Sequence, residues 1–211
     1  MKKINIMLLT SLGICGILLS THNTVLASES VNDIGIEKSI SINDPDTIIS
    51  EVMTFDQLAE RISNDQKITI KQATESIINN NLGKSLYSIK AATYRTISNS
   101  FTVTSTYKPT MNFYCETTES GGFRAIKKIL NVGMNRSYGG VSKQYQGSVY
   151  VKLEDPNRIY YNVNGDFYNN GTTTVNGGIS VGVGSSATVK FGISHASNHF
   201  KYCYTEKRVT F

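Results

Sequence analysis

Two of the three histidines, His195 and His199, are spaced H-x-x-x-H. On a helix that spacing sets both imidazoles on one face for zinc. On a hairpin with its loop at 196–198 it makes them cross-strand neighbours. A metal centre needs more ligands, and the sulfur nearest in sequence, Cys203, has another role below. No metal site is therefore read here. Asn162-Val163-Asn164-Gly165-Asp166 has the outline of a calcium loop. Its glycine is misplaced, and Thr173 stands where a bidentate glutamate is needed. No G-x-S-x-G nucleophile elbow occurs. The acids of the second half, Glu116, Glu119, Glu154, Asp155, Asp166 and Glu206, single out no pair with glycosidase roles. The reading is of a non-catalytic chain without a cofactor.

Recognition chemistry remains. Tyr138, Tyr145, Tyr150, Tyr160, Tyr161, Tyr168, Tyr202 and Tyr204 form a tyrosine-rich run. Such rings stack on sugars, and they also serve as half-buried sheet residues. There is no tryptophan, which weighs against a dedicated carbohydrate platform. The candidate binding residues are Arg124, Lys127, Tyr150, Tyr160, Tyr168 and Lys190.

Charge is divided along the chain. From Ser28 to Gln66 nine acids face two bases, a net −7. From Lys67 to Phe211 there are 17 bases and seven acids, a net +10. An acidic leader can simply keep a secreted chain soluble, or it can cover a basic face; screening beyond about 8 Å means that covering requires contact. The solvated leader is the preferred reading. The basic portion suits anionic surfaces such as teichoic acid or anionic lipid. Adjacent bases occur only at Lys127-Lys128 and Lys207-Arg208 in that portion, too few for specific nucleic-acid binding.

Residues 1–27 read as a secretory signal peptide. Lys2 and Lys3 precede an apolar run from Ile6 to Ser20, and Val25-Leu26-Ala27 supplies a cleavage site. Ile14 before Cys15 argues against lipidation. No later apolar run is long enough for a membrane helix. The expected location is secreted, extracellular or associated with the cell wall. Two cysteines then remain, Cys115 and Cys203, and an oxidising compartment predicts a disulfide between them.

Residues 28–53 read as an acidic flexible linker with room for one short strand. Thr54-Phe55-Asp56-Gln57 and Thr69-Ile70-Lys71-Gln72 both match a capping box. Phe55, Leu58, Ala59 and Ile62 share one helical face, and Ile70, Ala73, Ile77 and Ile78 share another. Helices are predicted near 54–63 and 69–81, with a further one over 84–92. Residues 54–97 thus form a short helical segment, read as a prosegment or spacer.

From Ser98 to Phe211 the period becomes two, with turn signals recurring every 12–18 residues. The expected fold is mainly β: an antiparallel meander of about eight strands closing as a sandwich or barrel. Side-chain parity tests the register. A two-residue Gly121-Gly122 turn moves the inner face from Phe113 and Cys115 to Ile126, Leu130, Val132 and Met134. Gly139-Gly140 moves it back to Tyr145, Val149, Val151 and Leu153. Three-residue loops at 155–157, 169–171 and 184–186 then keep it odd, through Ile159, Tyr161, Val163 and Phe167, then Val175, Ile179, Val181 and Val183, then Ala187, Val189, Phe191 and Ile193. The last strand departs, with Phe200, Tyr202 and Tyr204 even. Lys128 and Lys143 fall on the inner face and mark bulges or strand ends.

The stretch Val175–Ser194, with one face apolar and the other polar, also has the pattern of a β-hairpin long enough to span a bilayer. That pattern suits any sheet with one wet face. The region from Phe101 to Phe211, with Thr-Ser-Thr-Tyr at 104–107, Phe123-Arg124-Ala125-Ile126 and Gly165-Asp166-Phe167-Tyr168-Asn169-Asn170-Gly171, resembles small secreted proteins of Gram-positive bacteria. The resemblance implies no catalytic residue. The functional expectation is a binding domain for an anionic cell-envelope or extracellular polymer. The alternative is a membrane-active toxin or bacteriocin-like protein restrained by its acidic segment.

Overall fold

The computed structural model describes residues 44–211 except Leu82 and Gly177. The expected signal peptide and residues 28–43 of the acidic segment lie outside the described residues. The one short strand for which the acidic segment has room forms within residues 44–53 and joins a sheet. Strand β1 (Thr47–Ile49) pairs antiparallel with β2 (Thr93–Ser100). Asp44 ties this corner together. Its carboxylate accepts from the Asp46 N–H at 3.0 Å, the Thr47 hydroxyl at 2.7 Å and Asn99 Nδ2 at 3.0 Å.

Both capping boxes form. Thr54 accepts from the Gln57 N–H at 3.4 Å, and Gln57 Oε1 accepts from the Thr54 N–H at 2.8 Å, opening α1 (Phe55–Gln66). Thr69 and Gln72 repeat this at 3.2 and 2.9 Å for α2 (Ile70–Asn79). A single-turn α3 (Leu86–Lys90) follows, capped by Ser85. Phe55, Leu58, Ala59, Ile62, Ala73, Ile77 and Ile89 pack on Tyr94, Tyr114 and Leu130 of the sheet beneath. Ile70 departs from the expected face and is exposed, because α2 docks through Ala73 and Ile77. The helical segment is thus a layer of the fold, not a spacer, and the β-structure begins well before residue 98.

The first sheet has the order β1-β2-β3-β4-β9, with β3 Thr110–Ser120, β4 Phe123–Asn135 and β9 Val181–Gly182. The β3–β4 hairpin turns on Gly121 and Gly122, whose φ values of 54° and 87° suit a two-residue turn. A small ribbon, β5 (Ser137–Tyr138) with β6 (Val141–Ser142), surrounds Gly139-Gly140. The second sheet contains β7 (Gln144–Asp155), β8 (Arg158–Asn176) and β10 (Ser186–Thr210). These strands pair cyclically because β10 lines β7 with its first residues and β8 along most of its length. Inner residues of both sheets join one core, from Ile97, Phe113 and Ile129 on one side to Val149, Tyr161 and Val189 on the other.

The molecule is mainly β, antiparallel, with a short helical segment, as its periodicity predicts. The strand order is not that of a single meander. The chain leaves the first sheet after β4, and β9 returns to pair with β4. Val175–Ser194 is accordingly not a tight hairpin about 184–186: its ends pair, Val175 with Phe191 and Asn176 with Lys190, while the connection between them leaves to form β9, and Ile179 and Val181 are buried in the core.

The expected turns at 169–171 and 197–198 are strand interior instead. There β10 carries an irregularity between Ser194 and Ser197, with His195 and Asn198 at positive φ, while Gly171 on β8 has φ 132°. A second register shift lies between His199 and Lys201. From Cys203 onward the odd residues again face inward, so Cys203 and Val209 are buried whereas Tyr202 and Tyr204 are exposed. The expected three-residue loop at 155–157 is a two-residue turn plus a bulge at Glu154, and together these keep Leu153 opposite Ile159.

Two bulges in β4 have the same kind of effect. They turn Lys128 outward to the Asn80 carbonyl at 3.2 Å and send Leu130 to the helical layer, with Ile129 replacing it in the core. Val183 is also outside the core, since β9 ends one residue earlier.

Cys115 and Cys203 are both buried free thiols, so the expected bridge is not formed. Cys115 lies level with Arg95, and Cys203 lies opposite Gly165. The Tyr161 hydroxyl donates to Asn99 Oδ1 at 2.6 Å.

Candidate recognition face

The outer side of the second sheet collects most of the chemistry. Its alternating residues form cross-strand rows fixed by register. One row runs Ser186, Lys152, Tyr160, Arg208. The next runs Thr188, Tyr150, Asn162, Glu206, and the third Lys190, Ser148, Asn164, Tyr204. Gln146, Asp166 and Tyr202 follow, then Gln144, Tyr168 and His199. Valines and aromatics at the intervening positions hold the face rigid by filling the core.

Tyr150 and Tyr160 meet edge to face with centroids 6.1 Å apart, and the Arg208 guanidinium lies 5.1 Å over the Tyr160 ring. Tyr202 and Tyr204 are 51% and 56% exposed. The Tyr202 hydroxyl donates to Asn164 Oδ1 at 3.0 Å. The Tyr204 hydroxyl donates to Glu206. That bond holds the Glu206 carboxyl below its ordinary value and raises Tyr204 in turn. Glu206 is thus an acceptor, fixed in place, that steadies the ring beside it.

Glu154 takes Arg158 at 3.0 Å and Arg208 at 3.1 Å. Lys152 and Lys190, by contrast, have no ion pair among the described residues. The arrangement offers flat rings, amide donors and acceptors, and two available ammonium groups on a fixed lattice.

At one end His199 Nε2 lies 2.8 Å from Asp166 Oδ1, and its ring meets Tyr168 edge-on at 5.4 Å. His195 sits at the β10 irregularity. No group of three or more potential metal ligands occurs among the described residues.

Four of the expected binding residues, Tyr150, Tyr160, Tyr168 and Lys190, come together on this face. Arg124 and Lys127 do not. They lie on β4 in the other sheet, where Arg124 covers the Phe211 ring at 5.0 Å and Lys127 occupies a bulge. Sequence reasoning left out Tyr202, Asn162, Asn164, Lys152 and Arg208. The signal for the asparagines was present: Asn162, Asn164 and Asp166 alternate with Tyr161, Val163 and Gly165, which places three polar groups in line on one side.

Among the described residues no helix is long and apolar enough to cross a membrane. No protein-family model, curated protein or solved structure matches the chain, so the functional reading rests on this geometry alone.

Proposed function

We propose that this chain is a secreted, non-catalytic β-domain that binds an anionic glycopolymer of the cell envelope through the outer face of its second sheet. The observation that carries the reading is the set Tyr150, Tyr160, Tyr202 and Tyr204 on the outer side of one sheet, interleaved with Asn162 and Asn164 and bordered by Lys152 and Lys190. Rings suit the apolar faces of sugars, amides suit their hydroxyls, and the lysines suit phosphate or carboxylate groups along a polymer. With charge contributed by few groups, binding should weaken with salt without vanishing.

The test is co-sedimentation with purified Gram-positive cell walls, with and without their teichoic acid, at low and high salt. The wild-type protein is expected to sediment with intact walls at low salt. Tyr160→Ala and Tyr204→Ala should each weaken binding several-fold, since an aromatic contact contributes about 0.5–1.5 kcal/mol. Lys152→Ala combined with Lys190→Ala should remove most of the salt dependence. Failure of the wild type to bind intact walls at low salt would sink the proposal.

A further inference from the structure

A cleft of about 680 Å³ lies between the α1–α2 connection, the end of β4 and the far part of β8. That volume is in the range of small-molecule sites, roughly 300–1,000 Å³. Its lining is mixed: Gln66, Lys67, Asn131, Arg136, Gln144 and Thr172–Thr174 contribute polar groups, and Met134 and Val175 apolar surface.

Arg136 is the unusual member. Its backbone carbonyl is pinned by the Tyr107 hydroxyl at 2.6 Å, so the residue is fixed at its root. Its Nε is buried with no hydrogen-bond partner, and Nη1 has only a long contact of 3.5 Å to the Met134 carbonyl. No carboxylate pairs with it among the described residues. Asp65, which also lines the cleft, is engaged by Arg61 at 3.2 Å and by the Tyr114 hydroxyl at 2.8 Å. Burial accordingly lowers the proton affinity of Arg136. A partly buried guanidinium with unused donors is costly unless an anion meets it, and its fork matches carboxylate and phosphate oxygens.

The neighbouring amides are already oriented. Gln66 Nε2 donates to Asn131 Oδ1 at 3.0 Å, and Asn131 Nδ2 to Ser76 Oγ at 3.3 Å. Gln144 Oε1 accepts from the Thr173 N–H and hydroxyl, both at 3.0 Å, which leaves its Nε2 as a donor. Thr172 and Thr174 line the same cleft on either side of Thr173. We propose that this cleft binds an anionic sugar or polyol, its charged group on Arg136 and its hydroxyls against Gln144, Thr172 and Thr174. The charged group is held by Arg136, which lies outside the tyrosine face, and the cleft meets the edge of that face at Gln144.

Calorimetric titration of the full chain with glucose 1-phosphate, glucuronate and neutral glucose tests this and separates phosphate from carboxylate as the charged group. At least one charged sugar should bind at millimolar concentration or better, and glucose should not. Arg136→Gln should weaken that binding tenfold or more, and Arg136→Lys less. Hydrogen exchange of the wild type with the bound probe should slow at 131–136 and 172–175, a readout that does not depend on a variant folding.

Failure of both charged sugars to bind overturns the proposal. So does unchanged affinity in folded Arg136→Gln, or protection confined to the outer face of the second sheet. Tyr160→Ala, which should lose wall binding, should keep the cleft's affinity, so the two readings fail independently.

Discussion

At the scale of single residues the two thiols are governed by burial. Both have their pKa pushed up by desolvation, with Cys115 at 0% exposure. Only the thiolate reacts quickly with alkylating reagents. The folded protein should therefore resist alkylation at both sites, and Cys115 and Cys203 should both react once it is unfolded in guanidinium. Mass spectrometry reads this directly, and a pair that stays unreactive in the denatured protein until reduced would refute it.

Gly147 and Gly165 present a different residue-level constraint. They face each other across β7 and β8 beneath the Tyr145 hydroxyl. A Cβ on Gly165 would press into the Gln146 carbonyl oxygen and lie 2.7 Å from Gly147 Cα, both backbone atoms that cannot swing away. Gly165→Ala should cost about 2–3 kcal/mol in urea unfolding, as overpacking does. Gly182→Ala, where nothing lies within 4 Å, should change stability by about 0.5 kcal/mol or less. Equal effects at the two positions would contradict the packing described.

At the scale of elements the helical layer and the first sheet are joined by polar as well as apolar contacts. Lys84 Nζ lies 2.7 Å from both carboxylate oxygens of Glu116, whose side chain is 3% exposed. Lys84→Met would leave that carboxylate buried without a cation, at a cost of about 2–4 kcal/mol, discounted for the partial exposure of the lysine. Replacing both residues (Lys84→Met with Glu116→Gln) should recover much of the loss. A double-mutant cycle showing no coupling would mean that the pair does not hold the two layers together.

The helices themselves were legible in the sequence because a capping box and a 3.6-residue apolar period are local signals. Their partner was not. Tyr94, Tyr114 and Leu130 are spread over nearly forty positions, and only the pairing of β2, β3 and β4 sets them on one surface. The bulges in β4 and β10 were likewise hidden. A bulge changes which side a residue faces without requiring a residue type of its own.

At the scale of the molecule the described chain behaves as one packed body from β1 to Phe211. A chain beginning at Thr93 would lack β1 and all three helices, exposing the apolar side of the first sheet. It should aggregate or bind hydrophobic dyes rather than fold, which light scattering and dye fluorescence would show. A well-dispersed NMR spectrum from that chain would instead restore the view of the helices as a removable prosegment.

The acidic segment contributes by contact. Asp46 pairs with Lys207 at 2.9 Å, and Asp44 is held below its ordinary pKa, chiefly by the Thr47 hydroxyl. Because the folded value of Asp44 is the lower one, its stabilisation is present above about pH 4 and fades as pH falls through the folded pKa. The difference in urea midpoint between wild type and Asp44→Asn should therefore shrink from pH 6 to pH 3. A constant difference would assign the effect to something other than ionisation.

Alternation, turn glycines and caps determined by themselves that this protein is antiparallel β with a short helical segment, and that Val149, Val151, Val163 and Val189 are buried. These follow from interactions within a strand, a turn or a helix, whose geometry repeats over a few residues. Only the tertiary structure decided that β8 runs through Asn169-Asn170-Gly171 and that the cysteines stay apart. It also decided that tyrosines from three strands share one face and that Arg136 lines a cleft. Those outcomes depend on which distant strands pair, and pairing is chosen by the energy of the whole core, which no local pattern contains.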